Sequence, residues 1–213
     1  MRFFRTYARI LSLAKQDFQG HLGDIAVLKT DLVGADVYPH LRAKLDPVRG
    51  YHPRLDLDAL AALPPDTFGY AYARFLRENH LSPFVLTDAT TPELAARNAF
   101  GIRYAITHDM FHVLLGYDTR WPGELGVLGF AVGQGYTPWQ RLGAALAWLL
   151  YPLLSGFQLG ALWRAWTRGV RLGRAAPFLL GVLLEDRMAT PLAELRAELG
   201  LSAPLAAGSA WAA

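Results

Sequence analysis

The chain has 213 residues, of which 53% are hydrophobic and 18% charged, with a formal net charge of +3 and a pI near 9.3. That length suffices for one sizeable core without a second domain, and a charged fraction below the roughly 25% of ordinary soluble domains points to a surface that meets something besides water. Lysines and arginines are dispersed with no aromatic-basic module, which argues against nucleic acid as a partner; the absence of cysteine rules out disulfides and thiolate metal sites, so any metal must be held by imidazole, carboxylate or water.

At the N-terminus, Arg5, Arg9 and Lys15 interrupt the apolar residues before they reach signal-peptide length and no small-residue cleavage site follows, so the segment reads as mature sequence. Phe4, Tyr7, Ile10, Leu11 and Leu13 recur near helical spacing, with Arg2, Arg5 and Arg9 elsewhere on the wheel. This predicts an amphipathic helix that either packs on its own core or lies on a membrane surface. Residues 1–33 read as helical, and Pro39, Pro47, Pro53, Pro64 and Pro65 mark 34–66 as irregular connection. Asp66 is a candidate N-cap for a helix with Phe68, Tyr72, Phe75 and Leu76 on one face; Thr91 before Pro92 starts another running through "TTPELAARNAFGIRYAITHDMFHVLL". No segment alternates with a period of two, so the fold class predicted is all-α, a single-domain helical bundle. Its parts are residues 1–62, an amphipathic helix and proline-containing connection; 63–201, a helical core; and 202–213, a low-complexity flexible tail.

Between Arg141 and Arg164 lie 22 residues without a charge. A run of that length is the usual sign of a membrane span, but Pro152, Ser155, Gln158 and three glycines break it. Two shorter apolar helices meeting at a bend are predicted, either buried as a pair or lining a groove for a lipid tail or a bilayer face.

Polar chemistry concentrates in "AITHDMFHVLLGYDTRWPGELG". On a helix, His108 and His112 are about 40° apart and project from one face, with Asp109 on the flank as a ligand or as the group orienting one. The glycines, Pro122 and the Asp118-Thr119 pair turn the chain so that Glu124 starts the next helix facing back. The pattern is H-D-x-x-H, eleven residues, then Glu. Such a donor set suits zinc foremost, and also non-haem iron, manganese or magnesium. Without an ion the residues would form a buried polar cluster with His108 bonded to Glu124, an arrangement that is costly for so many ionisable groups. A zinc peptidase would need H-E-x-x-H, and Asp109 is one methylene short for that geometry. A phosphohydrolase would need an upstream histidine, for which His80 is the candidate, and a distant aspartate that does not stand out.

These residues resemble the coenzyme Q (ubiquinone) biosynthesis protein 4 family, whose mark is H-D-x-x-H followed eleven residues later by Glu; His108, Asp109, His112 and Glu124 match it in turn. "LPPDTFGYAYARFL" and "GRAAPFLLGVLLEDRMATPLAELRAELGL" are similar to its upstream and closing segments, so the resemblance covers roughly residues 63–201, with Asp66 in place of a usual glycine and "LEDRM", including Glu185, in place of a "WEE"-like stretch. The resemblance implies metal-dependent oxidative decarboxylation of a polyprenylated hydroxybenzoate, the C1 carboxylate being replaced by hydroxyl. His108, His112 and Glu124 would be ligands, and Asp109 a ligand or catalytic group. The alternative is a non-catalytic polyprenyl-lipid-binding scaffold with a structural metal. Implied partners are the polyprenylated quinone precursor or another isoprenoid lipid, other quinone-biosynthesis proteins, a second copy in a homodimer, and the membrane surface. The implied location is cytoplasmic, peripheral to the inner face of the membrane. The prenyl tail would follow the uncharged stretch, with Gly126, Gly129 and Gly133 permitting either close approach to the tail or tight helix packing. Arg164, Arg168, Arg171 and Arg174, around Trp163 and Trp166, would hold an anionic head group or simply keep a helix wet.

Overall fold

The computed structural model describes residues 2–18 and 20–201, so the predicted flexible tail lies outside the described residues. The fold is all-α as the periodicity predicts: among the described residues no strand forms, and Thr67 and Pro191 make only an isolated bridge. The predicted 1–33 helix is two helices, α1 (Arg2–Asp17) and α2 (Leu22–Leu32). Ile10 and Leu13 bury against Ile25, Val27 and Leu28, whereas Phe4, Tyr7 and Leu11 remain exposed. Only two of the five residues of the predicted apolar face are covered by the protein itself. Asp24 on α2 is fully buried and accepts from the Thr87 amide (3.1 Å), the Thr87 hydroxyl (2.8 Å) and the Thr90 hydroxyl (2.6 Å), which fastens the 87–90 loop to α2.

The proline-bearing connection is more ordered than predicted. Pro39–Val48 forms a 3-10 helix, with Pro39 at its start, where a missing N–H costs nothing, and Leu41, Leu45 and Val48 enter the main core. After α3 (Leu57–Ala61), helix α4 (Phe68–Glu78) is capped by Thr67, whose hydroxyl accepts from the Tyr70 amide at 3.3 Å, and not by Asp66. Phe68, Tyr72, Phe75 and Leu76 are buried as the spacing predicts. Thr91 caps α5 (Pro92–Arg97), but the predicted continuous helix breaks at Asn98. The Asn98 carboxamide accepts from the Gly101 amide (3.0 Å) and donates to the Val27 carbonyl (2.9 Å), starting a new helix, α6 (Ala99–Leu115).

Four further helices, α7 (Trp121–Gln134), α8 (Pro138–Leu154), α9 (Leu159–Ala175) and α10 (Leu192–Glu198), complete the bundle. Helices α7 and α9 meet backbone to backbone: a Cβ on Gly169 would lie 2.1 Å from the Gly126 carbonyl, and one on Gly133 2.4 Å from the Val170 carbonyl. Gly126, Gly129 and Gly133 therefore serve helix packing and not approach to a lipid tail. The uncharged stretch forms α8 and the start of α9, and the bend falls at 155–158, where Gly156 and Phe157 take left-handed φ, with Pro152 inside the last turn of α8. It is not a buried pair. Leu142, Leu146, Leu149 and Leu153 form an outward stripe, with Leu149 70% exposed. No helix among the described residues is long and apolar enough to cross a membrane.

Candidate metal centre

Helix α6 presents His108 and His112 on one face, and both of its ends are fastened. Asn98 caps its N-terminus, and it stops at Gly116, whose φ of +71° is the left-handed conformation that glycine adopts without steric cost. Beyond the last turn two guanidiniums meet the last carbonyls of the helix. Arg168 Nη1 donates to Leu115 (2.7 Å) and lies over the Tyr117 ring at 5.0 Å; Arg196 donates from Nε to Leu114 (3.0 Å) and from Nη2 to Val113 (2.8 Å). Cations suit the negative end of a helix dipole, although burial first and then the nearby Arg168 hold Arg196 down at about 10. Of the four arginines in α9 singled out in sequence, Arg168 is thus structural, while Arg164, Arg171 and Arg174 stand exposed.

Residues 116–120 then turn the chain back onto α7. Gly123 allows this: a Cβ there would sit 2.0 Å from the Asp118 carbonyl. Glu124, in the first turn of α7, consequently faces α6 from the positive end of its own helix. One Glu124 oxygen lies 3.4 Å from His112 Nε2 and the other 3.8 Å from His108 Nε2. The sequence thus brings His108, His112 and Glu124 together as the spacing predicts, with ligand atoms within 4.8 Å of one another.

Asp109 takes the other position the spacing allowed. Its Oδ1 lies 3.1 Å from His108 Nδ1, outside the group of three. With Nδ1–H donating to Asp109, His108 Nε2 carries its lone pair toward Glu124. Burial pushes the His108 imidazolium down, but the Asp109 hydrogen bond and charge, joined by Glu124, push it up further, to a net rise above the usual histidine range. His112 is 1% exposed, stacks on Phe75 at 5.5 Å between centroids, and has neither ring nitrogen hydrogen-bonded. Such orphaned buried nitrogens cost about 1–3 kcal/mol each unless something completes them. Two imidazole nitrogens, one bare and aimed at a carboxylate, fit a single divalent ion, and three protein ligands would leave a coordination position open.

Several residues around the centre escape sequence reasoning. Arg103, the one charged residue between Ala99 and Thr107, is fully buried and bonded to Glu185, with 2.6 Å from Nη1 to Oε1. A lone arginine in an apolar helix was the available signal. Glu185 therefore belongs to that buried pair and not to the donor set. His80, the candidate upstream histidine, lies two residues past the end of α4 with φ +54° and is outside the group of possible ligands. Tyr104, one turn before His108, sets its ring edge-on to that imidazole at 5.9 Å.

A sequence profile described as "Coenzyme Q (ubiquinone) biosynthesis protein Coq4" matches residues 51–204. The chain is 35% identical over 150 residues to "Ubiquinone biosynthesis protein COQ4 homolog, mitochondrial" of Danio rerio, covering 70% of this chain and 55% of that one. It is 37% identical over 158 residues to the Homo sapiens protein of the same name, covering 70% and 56%. The chain thus spans about half the length of the curated relatives it matches. In three dimensions it is similar to a Nostoc punctiforme protein whose crystal structure carries a provisional ubiquinone-biosynthesis name, with a TM-score of 0.62, 95% of this chain and 90% of that chain covered, and 22% identity, a likeness of fold.

Proposed function

The chain belongs to the coenzyme Q (ubiquinone) biosynthesis protein Coq4 family, and from that premise we propose that it acts in ubiquinone biosynthesis as a metal-dependent enzyme replacing the C1 carboxylate of a polyprenylated hydroxybenzoate with hydroxyl. The observation that carries this reading is His112: a buried imidazole with two unpartnered nitrogens, facing Glu124 and His108 across a gap of ion-binding size.

In this reading His108, His112 and Glu124 hold a divalent ion, zinc foremost, and the ion supplies Lewis acidity toward the ring carboxylate. The chain's own residues do the rest. Asp109 fixes the His108 tautomer through Nδ1 and holds a proton there. Phe75 and Tyr104 wall the two imidazoles and limit water. The overall reaction consumes one water, releases carbon dioxide, and passes two electrons and two protons to an external acceptor such as dioxygen. The prenyl tail lies along the exposed leucines of α8, and those leucines or the exposed Phe3, Phe4 and Tyr7 of α1 supply the apolar side chains for a membrane surface.

The test is elemental analysis of protein purified without added metal, followed by turnover of a prenylated hydroxybenzoate. The parent should carry near-stoichiometric metal and Glu124→Ala should not, with turnover lost alongside. Full turnover in a metal-free His112→Ala protein overturns the proposal. Bound metal with no turnover favours the lipid-binding scaffold.

A further inference from the structure

Several exposed arginines of this chain have an acid beside them: Arg42 pairs with Asp36, Arg49 with Asp46, Arg77 with Asp58 and Arg97 with Asp31. The α8–α9 hairpin departs from this. Between Glu124 and Glu185 the sequence has no aspartate or glutamate, yet it carries Arg141, Arg164, Arg168, Arg171 and Arg174. Arg168 is engaged at the carbonyl end of α6, whereas Arg164, Arg171 and Arg174 are exposed, and among the described residues no hydrogen bond or ion pair reaches their guanidiniums.

These three cations are also aligned. At about 100° per residue, Arg164 and Arg171 fall about 20° apart and Arg174 about 60° further round, so they form one outward strip, opposite the buried Leu162 and Gly169. Arg171 and Arg174 open together onto a groove of about 490 Å³ walled by Trp166 and Val170. Beside the strip runs an apolar one. The exposed leucines of α8 lead through Phe157 and Leu159 at the bend to the exposed Trp163 of α9. Trp148 sets its ring 6.1 Å from those of Trp163 and Trp166, so the two strips lie on neighbouring helices of one hairpin. Phe157 is 65% exposed at a φ of +60°, a conformation uncommon for so bulky a residue, and its ring gains no burial from the protein in return.

Charge decides among the partners such a face could meet. A nucleic acid would engage the arginines but has no use for a leucine strip, and a second copy presenting the same hairpin brings no carboxylate to the arginines. An anionic bilayer accepts both: acyl chains receive the leucines and Phe157, tryptophan suits the head-group level, and lipid phosphates accept from the guanidiniums. Resting on the reading of the α8 leucines as facing lipid, we propose that the α8–α9 hairpin docks on anionic lipid, with Arg164, Arg171 and Arg174 binding the head-group phosphates and setting the preference for negatively charged membranes.

The experiment is flotation of the full chain with vesicles of phosphatidylcholine alone and of phosphatidylcholine mixed with phosphatidylglycerol. The parent should bind the anionic vesicles far more tightly, and the preference should vanish near 1 M salt, where charges are screened within about 3 Å. Replacing Arg164, Arg171 and Arg174 together by Gln should weaken anionic binding about a hundredfold, roughly fivefold for each arginine, with neutral binding and melting temperature unchanged. The same three changed to Lys should keep most of the preference, because the field acts on charge. Leu149→Ser with Leu153→Ser should weaken binding to both vesicles. Equal binding of the parent to both vesicles, or a preference that survives the Gln changes and is lost instead in Arg5→Gln with Lys15→Gln on α1, overturns the proposal and leaves the α8 leucines facing lipid. Lys changes as damaging as the Gln changes also overturn it. A parent that binds neither vesicle overturns the lipid-facing reading as well; if it also dimerises through Leu149 and Leu153, the face belongs to a second copy. None of these outcomes bears on bound metal, which is measured separately.

Discussion

Glu185 grips Arg103 with both carboxylate oxygens, at 2.6 and 3.2 Å, and Arg103 stands on the helix that carries His108 and His112. The guanidinium is completed by the Leu180 and Val182 carbonyls at 3.2 and 2.8 Å. This cluster ties the helix of the candidate metal centre to the 3-10 turns at Leu179–Gly181 and Leu184–Arg187. Removing one partner strands a buried charge, so Glu185→Ala should cost about 3–5 kcal/mol of unfolding free energy by urea titration. Arg103→Met combined with Glu185→Leu should cost clearly less than the sum of the two single changes, because no charge is left unpaired. Additive losses would mean that the pair is not coupled.

The α7–α9 contact makes a second prediction that runs against helix propensity. Alanine is favoured over glycine by roughly 1 kcal/mol in a helix interior. At Gly169 its Cβ would meet the Gly126 carbonyl at 2.1 Å, and backbone cannot give way as a flexible side chain would. Gly169→Ala should therefore destabilise by about 1–3 kcal/mol. Gly143→Ala, on α8 where a Cβ meets nothing within 4 Å, should leave stability unchanged or raise it. Both are read from the shift in denaturation midpoint at constant m-value.

Asp109 separates a ligand from an orienting group. Because it reaches His108 Nδ1 and stands apart from His108 Nε2, His112 and Glu124, Asp109→Asn should keep metal but weaken it about 10–100-fold, the usual effect of losing such a support. Competition against a chromophoric chelator measures this directly. If Asp109→Asn purifies as empty as His112→Ala, Asp109 is itself a ligand.

Local spacing made the candidate centre legible. His108 and His112 share a helix, and the glycines and Pro122 between them and Glu124 announce the turn that brings the carboxylate back. What escaped is what depends on distant chain. Arg103 and Arg196 find their partners about 80 residues away, so no periodicity marks them as structural. The break at Asn98 was hidden because the segments on either side are both helical, and only the Asn98 side-chain bonds divide them. The apolar stretch of α8 gave the right elements and left the environment open, since a leucine stripe has the same pattern whether it faces a core or a lipid.

Buried phenols set the response to alkali. Tyr104 is raised to about 12 by burial, opposed by Gln140; Tyr72 lies higher still and Tyr136 is raised well above the usual tyrosine value, both chiefly through burial. An unfolded tyrosine titrates near 10, so above that pH the unfolded chain sheds protons that the native state keeps. The stability contributed by keeping these phenols neutral is therefore complete below pH ~10 and falls as pH rises toward their native values, by about 1.4 kcal/mol per group per pH unit. Urea midpoints should be flat from pH 8 to 9 and drop steeply by pH 11. Tyr136 isolates one group, because the residue is fully buried. Tyr136→Phe should lose stability less steeply than the parent above pH 10; a slope unchanged by that substitution would show that Tyr136 ionises no later in the folded chain than in the unfolded one.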